Sequence, residues 1–323
     1  MLRIRSNCSE KGATRCCAFL FVLICASRQI RQATLVNVGS NDLITGERVI
    51  GLCDVAYFSE SYVAQFPTFR RYIKSMVTTE LVYSAPETVR NTIRGSFIFC
   101  TKLDWIEEFK RDIVPLIHSN FILVTHNSDH LAGQDTDLLN EPFLIRWYGQ
   151  NMLPHTKTKG VPIGLENADA WGRTDFRHIW KCRKNRKTNV LYFQFSDYSN
   201  SERPVIRKTL RQNGFHENKP KSWQHYISEL SSYKFCAAPP GNGIDTHRAW
   251  ECIYLGVVPI IVRSSVMQAW FQNANIMWVD SYEEVTLQRL RSFKLPKDMD
   301  LPAISRLSYL QNELEYERSL TKG

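Results

Sequence analysis

The sequence has no Cys-x-x-Cys pair, no Gly-x-x-x-x-Gly-Lys-Ser/Thr loop, no internal repeat and no apolar run of membrane-spanning length. The first absence argues against a structural zinc, whose ligands usually come in such pairs. The second removes P-loop kinases and sulfotransferases, which need that loop to cradle phosphates. The longest apolar run, Cys16–Ala26, falls short of the roughly 20 residues a spanning helix needs. An acidic metal motif is lacking too. Asp135-Thr136-Asp137 has the letters of Asp-x-Asp, but no matching strand precedes it and an Asn/Leu/Pro-rich stretch follows. It reads as a loop and helix cap, so no metal site is expected.

The chain does hold 323 residues and a formal charge of +9, long for one core and comfortable for two. Six of its Lys/Arg and only one acid precede Ala33, so the remainder is only modestly basic. A second basic cluster, Arg173–Lys187, carries no nucleic-acid motif and no interleaved aromatic pattern; it reads as a solvated connector, and nucleic acid is not an expected partner. Cysteines are scattered, with Cys236 and Cys252 expected as buried thiols.

Residues 1–32 read as a leader: basic residues, then an apolar stretch, then Cys25-Ala26-Ser27 as an end. This predicts a signal peptide and entry to the secretory pathway, with a short signal anchor holding the protein to a membrane, or a disordered basic tail on a cytoplasmic protein, as alternatives. Strands are expected at Leu35–Val38, Val55–Phe58, Leu81–Tyr83, Ser96–Cys100, Phe121–Thr125, Leu144–Trp147 and Val161–Ile163, with a helix from Asp104 to Leu116. This alternation predicts a first Rossmann-like domain over 33–185. After the basic connector, Asn189–Phe195 opens a second α/β domain over 186–323. Helices follow at Glu202–Gln212 and Ser222–Leu230, a last strand at Ile276–Val279, and terminal helices at Glu283–Ser292 and Ala303–Arg318.

The second domain centres on Tyr233–Arg263. Tyr233–Ala237 is a strand; Pro239, Pro240, Gly241 and Gly243 break it. Asp245 is the expected N-cap of a helix, Thr246–Leu255, that Gly256 ends and strand Val257–Val262 follows. At about 100° per residue His247, Arg248 and Glu251 share one arc, while Ala249, Trp250, Cys252 and Ile253 form an apolar arc that can pack on a sheet. A Gly-rich turn, a helix N-terminus and an arginine together suit a diphosphate, and a glutamate one turn on can accept from ribose hydroxyls. Against this, Arg248 and Glu251 at i,i+3 can be a surface ion pair of small value.

The run Pro239–Val262 resembles the donor-binding motif of exostosin-type glycosyltransferases, most closely the branch sharing its C-terminal domain with the ribitol xylosyltransferases. That motif is an Arg-x-x-Glu helix, here Arg248-Ala-Trp-Glu251, between a Pro-x-Gly turn and a Pro-containing strand, here with Pro259. His126–Asp129, Trp147–Asn151, Pro162–Asn167 and Asn200–Arg203 also look like this branch, so the resemblance covers about Ile93 to Asp280. It implies a GT-B-like fold, two Rossmann-like domains facing across a cleft, and an inverting, metal-independent transfer in the Golgi. The sugar would come from a nucleotide-sugar, a UDP-sugar for preference, with no further cofactor, and go to a glycan or glycoprotein. The competing class is a non-catalytic carbohydrate-binding or scaffold protein that kept the fold.

The resemblance assigns the donor to Arg203, Arg207, Gly241, Asn242, Gly243, Asp245, His247, Arg248 and Glu251. Arg248 also offsets charge on the leaving diphosphate. Pro240 stands where exostosins commonly have a basic residue, which shifts phosphate charge onto Arg203, Arg207 and Arg248. An inverting transfer needs a base. Asp129 or His126, at the end of a buried strand, can serve, although Asn127, Ser128 and Asp129 are also good turn formers. Glu166 is a third candidate, for a donor or acceptor contact. Because Glu251 lies off the apolar arc, its replacement by alanine is expected to change folding little.

Overall fold

The computed structural model describes residues 42–65, 73, 75–84, 87–167, 175–295 and 300–321. The leader, the Leu35–Val38 strand and the start of the Arg173–Lys187 stretch lie outside the described residues. The rest of that stretch is not a solvated connector, because it carries the helix Phe176–Cys182, whose Ile179 and Cys182 are buried in a core cluster. From Asp42 onward the chain forms one compact mixed α/β unit with two parallel sheets.

The first sheet has six strands: β1 (Val55–Tyr57), β2 (Met76–Val77), β3 (Ile98–Thr101), β4 (Phe121–Thr125), β5 (Leu144–Gly149) and β6 (Thr158–Gly160), in the order β2-β1-β3-β4-β5-β6. Every pairing is parallel. β4 is buried from end to end, and its alternate residues serve two cores. Ile122 and Val124 face one cluster with Ile98 and Cys100; Phe121 and Leu123 face the other with Phe99 and Phe109. A strand covered on both faces reads as an unbroken apolar run, which is why Phe121–Thr125 stands out in the sequence.

The second sheet, ordered β10-β9-β8-β7, comprises β7 (Asn189–Tyr192), β8 (Tyr233–Ala237), β9 (Val258–Val262) and β10 (Met277–Val279), again all parallel. Between β8 and β9 runs the His247–Leu255 helix, ended by Gly256 in the left-handed conformation at φ 70°. Its apolar arc is buried: Ala249, Trp250, Cys252 and Ile253 join one core cluster with Cys236 and Ile261.

Several expected elements differ. Leu81–Tyr83 belongs to a short helix, Thr79–Tyr83, because the Thr78 hydroxyl caps it by accepting from Leu81 N. Val161–Ile163 is not a strand; β6 ends at Gly160, and Pro162 has no N–H to continue a ladder. The Asp104–Leu116 helix is broken into Leu103–Trp105, Ile106–Asp112 and Val114–Leu116, with Pro115 in the last piece. A helix at Ser265–Phe271 was not expected, although Ser264 signals it by accepting from Met267 N.

The Leu307–Leu320 helix follows the second sheet in sequence but packs on the first. Leu310 and Leu314 enter the cluster of Ile122 and Val124. Its polar side adds the pairs Arg146–Glu317 and Arg318–Asp54. Asp54 is the tie between chain end and sheet: its carboxylate accepts from Phe97 N, Ile98 N and the Arg318 guanidinium. Burial alone would raise its pKa, yet these donors hold it below the usual carboxylate range. Asp54→Ala removes charge-assisted bonds worth about 1.5–3 kcal/mol each. We expect a loss of about 3 kcal/mol or more in urea unfolding, with the terminal helix losing hydrogen-exchange protection first.

Candidate functional site

A cavity of about 310 Å³ opens where loops from both sheets meet. The first sheet contributes Asp129, which follows β4, and Ile163, which follows β6; the second contributes Arg203, Tyr226, Gly241–Gly243 and the segment Asp245–Arg248 with Glu251. All of these lie past the carboxyl ends of parallel strands, or on the helices between them, where parallel α/β sheets bind ligands.

The Gly-rich turn is braced from one side by Asn200 and Arg203. Asn200 Nδ2 donates to Gly241 O (3.1 Å), and the Arg203 guanidinium donates to Pro240 O (2.7 Å), Pro239 O (3.4 Å) and Ser196 O (3.0 Å). From the other side it meets the first sheet. Asn151 donates through Nδ2 to Asp129 O (3.3 Å) and accepts at Oδ1 from Asp245 N (2.9 Å). A Cβ at Gly243 would lie 2.8 Å from Asn151 Nδ2, so only glycine allows this approach.

Asp245 does not cap the helix. Thr246 takes the N-cap position and contributes no side-chain bond. The Asp245 carboxylate instead turns inward, 2% exposed, and accepts from Ile163 N (2.8 Å) and Trp250 Nε1 (2.7 Å). Burial pushes its pKa up to about 6. With no side-chain cap, first-turn N–H groups of the nine-residue helix stay available to an anion.

Arg248 and Glu251 are not a surface pair. Arg248 donates through Nη1 to Gln194 O (2.8 Å), and its guanidinium lies 4.6 Å from the Tyr226 ring centroid. Glu251 is 7% exposed. Its Oε2 accepts from Tyr226 OH (2.6 Å) and its Oε1 from Trp223 Nε1 (3.1 Å), with Arg248 Nε at 3.7 Å. Trp223 and Tyr226 were missed in the sequence; their three-residue spacing on an amphipathic helix was the signal available.

Arg203 lines the cavity and Arg207 does not. Arg207 pairs with Asp197 and Glu217 and donates to Phe195 O, which neutralises it locally. Arg203 has no carboxylate partner among the described residues; burial, and then the nearby Arg248 cation, lower its pKa. His247 Nδ1 lies 2.9 Å from Gly164 O, and its Nε2 lies 4.0 Å from Glu166 Oε1. Asp129 is exposed at the cavity wall. His126 is turned away from it, 1% exposed, with Nε2 against Pro162 O (2.9 Å).

No family model matches the chain, and no curated protein matches it. Among solved structures it is similar to the Anabaena protein HepE in complex with UDP and glucose. The two share 9% identity over 86% of this chain and 96% of that one, with a TM-score of 0.40. The exostosin resemblance therefore stands on the quoted motifs alone.

Among the described residues no group of three or more His, Cys, Asp or Glu is placed to hold a metal ion, and no helix is long and apolar enough to cross a membrane. Asp135 caps the short Thr136–Leu139 helix by accepting from Leu138 N, and it pairs with Lys110.

Two expectations follow. Glu251→Ala strands the indole N–H of Trp223 and the hydroxyl of Tyr226, so it destabilises the fold, contrary to the sequence-based expectation. An unsatisfied buried polar group costs about 1–3 kcal/mol, so a loss of about 2 kcal/mol or more is expected in urea unfolding, and less for Glu251→Gln. His126 is lowered to about 4 by burial. The unfolded chain then binds the proton near pH 6.5 while the folded chain resists until about 4. This contribution is therefore present above about pH 6.5 and lost as pH falls to 4, amounting to about 3 kcal/mol. Asp245, raised, works in the opposite sense over an overlapping window, and comparison of a variant with wild type cancels it. His126→Gln should gain about 3 kcal/mol relative to wild type between pH 6.5 and 4 in paired unfolding curves.

Proposed function

We propose that the protein is a glycosyltransferase of GT-B-like build that moves a sugar from a nucleotide-sugar to a glycan or glycoprotein acceptor, with inversion and without a metal. The observation that carries this reading is the convergence on one cavity of two cations, Arg203 and Arg248, with a Gly-rich turn and an uncapped helix N-terminus. Two guanidinium groups that disfavour each other's charge are relieved by an anion between them, and a diphosphate supplies one. The quoted exostosin-type motifs supply the sugar and the nucleotide. In this reading Arg248 and Arg203 offset charge as it grows on the leaving diphosphate. Glu251, with lone pairs beyond those used by Trp223 and Tyr226, accepts from ribose hydroxyls. The acceptor hydroxyl loses a proton to a group at the cavity, either Asp129 or the His247–Glu166 pair.

Thermal unfolding with a panel of nucleoside diphosphates and UDP- or GDP-sugars tests the proposal. One nucleotide should raise stability by about 2.7 kcal/mol at a hundred times its Kd. Transfer should survive EDTA. Arg248→Ala should depress turnover more than nucleotide affinity, because it acts where charge develops. If no nucleotide in the panel stabilises the protein, the cavity is not a donor site. Loss of transfer with EDTA and its recovery with manganese would instead remove the metal-independent mechanism.

A further inference from the structure

His247 reaches across from the second-sheet helix to the loop that follows β6. Its Nδ1 lies 2.9 Å from Gly164 O, and a carbonyl oxygen can only accept, so Nδ1 carries the hydrogen. In the neutral ring Nε2 then holds the lone pair. The carbonyl is there because Gly164 adopts φ 67°, a conformation in which a Cβ would lie 2.3 Å from Ile44 O. The tautomer is therefore set by backbone geometry.

Nε2 lies 4.0 Å from Glu166 Oε1. That is too long for a hydrogen bond and wide enough for one bridging oxygen. An oxygen at about 2.8 Å from both atoms would see them at an angle of roughly 90°, which a hydroxyl accommodates. His247 lines the cavity, so the gap lies at its edge. Asp129 also reaches the cavity, but its carboxylate has no hydrogen-bond partner among the described residues to orient it, whereas His247 is held.

We propose that His247 is the base of the transfer, with the acceptor's sugar hydroxyl seated between its Nε2 and the Glu166 carboxylate. This rests on the glycosyltransferase reading of the cavity. In the step, the acceptor O–H bond breaks and its oxygen bonds to the anomeric carbon. The bond from that carbon to the diphosphate breaks, with the electron pair leaving on the diphosphate, and the proton passes to Nε2. The imidazolium so formed lies between Gly164 O and Glu166. The other titratable groups that face this pair are Asp245 and His126 around His247, and Glu251 and Asp129 around Glu166. Burial, and then Glu251 and Asp129, raise the pKa of Glu166 while His247 lowers it.

The test uses the full chain, UDP and the donor sugar found by the stabilisation panel, following release of nucleoside diphosphate with and without simple glycosides. His247→Asn keeps an amide donor for Gly164 O and removes the base. Turnover should fall by about 100-fold or more while UDP affinity stays within about threefold, and the acid limb of the pH–rate profile should vanish. Glu166→Gln keeps a hydrogen-bonding seat for the acceptor hydroxyl and the base itself, so it should lower turnover by less than His247→Asn does. If His247→Asn keeps turnover and the limb, or if Asp129→Asn removes the limb and His247→Asn does not, the base has been misassigned. Loss of UDP affinity as large as the loss of turnover would make His247 a donor ligand. Wild-type protein that neither binds a nucleotide nor releases one fails the glycosyltransferase reading itself, and this assignment with it.

Discussion

One buried carboxylate fixes where the two sheets meet. Asp245 takes Ile163 N–H from the loop after β6 at one oxygen and the Trp250 indole from the second-sheet helix at the other, while its own N–H goes to Asn151. Burying a carboxylate is costly, and the rise of its pKa to about 6 records that cost. What the cost secures is position. The next residue of the same loop, Gly164, presents its carbonyl to His247. Helix start, Gly-rich turn and Asp129 are thereby held in one frame, and Arg203 and Arg248 acquire a defined relation to the groups of the first sheet.

The parts of the fold legible in the sequence are those in which one local signal decides. Phe121–Thr125, Phe235–Ala237 and Val258–Ile261 are buried, largely apolar runs because both faces of a parallel strand are covered. The apolar arc of His247–Leu255 follows from helical period alone, and its end from Gly256. Val161–Ile163 has strand composition, but Pro162 cannot pair, and its carbonyl is taken by His126. The same holds for Asp245. Asp is a good cap in isolation, yet a backbone N–H 82 residues away in sequence and an indole five residues on compete for its oxygens and win.

The candidate site was half legible for a similar reason. Helical period places Arg248 and Glu251 together, and the structure keeps them together. It cannot show that Trp223 and Tyr226, from another helix, hold Glu251, or that Asn151 bridges Asp129 and Asp245. Arg203 and Arg207, four residues apart on one helix, look equivalent in sequence. They part because Asp197 and Glu217 pair with Arg207, whereas Arg203 donates to carbonyls and has no carboxylate partner among the described residues.

That last difference has a physical meaning for the cavity. A carboxylate partner orients a guanidinium and cancels its field; a carbonyl orients it and leaves most of the field in place. Arg203 is fixed by three carbonyls, and Arg248 by one carbonyl and two aromatic faces. Glu251 is fixed in the same manner by neutral donors, an indole and a phenol. Charges held by neutral neighbours are pre-positioned without being spent, and a site built so needs little reorganisation when charge develops on a bound group. The Arg248–Glu251 contact, at 3.7 Å, brings opposite charges together on the cavity wall, and it is longer than either of the bonds that Glu251 accepts from Trp223 and Tyr226. The pair thus shares a wall without forming a tight salt bridge, which leaves the arginine free to face an anion and the glutamate free to face hydroxyl groups.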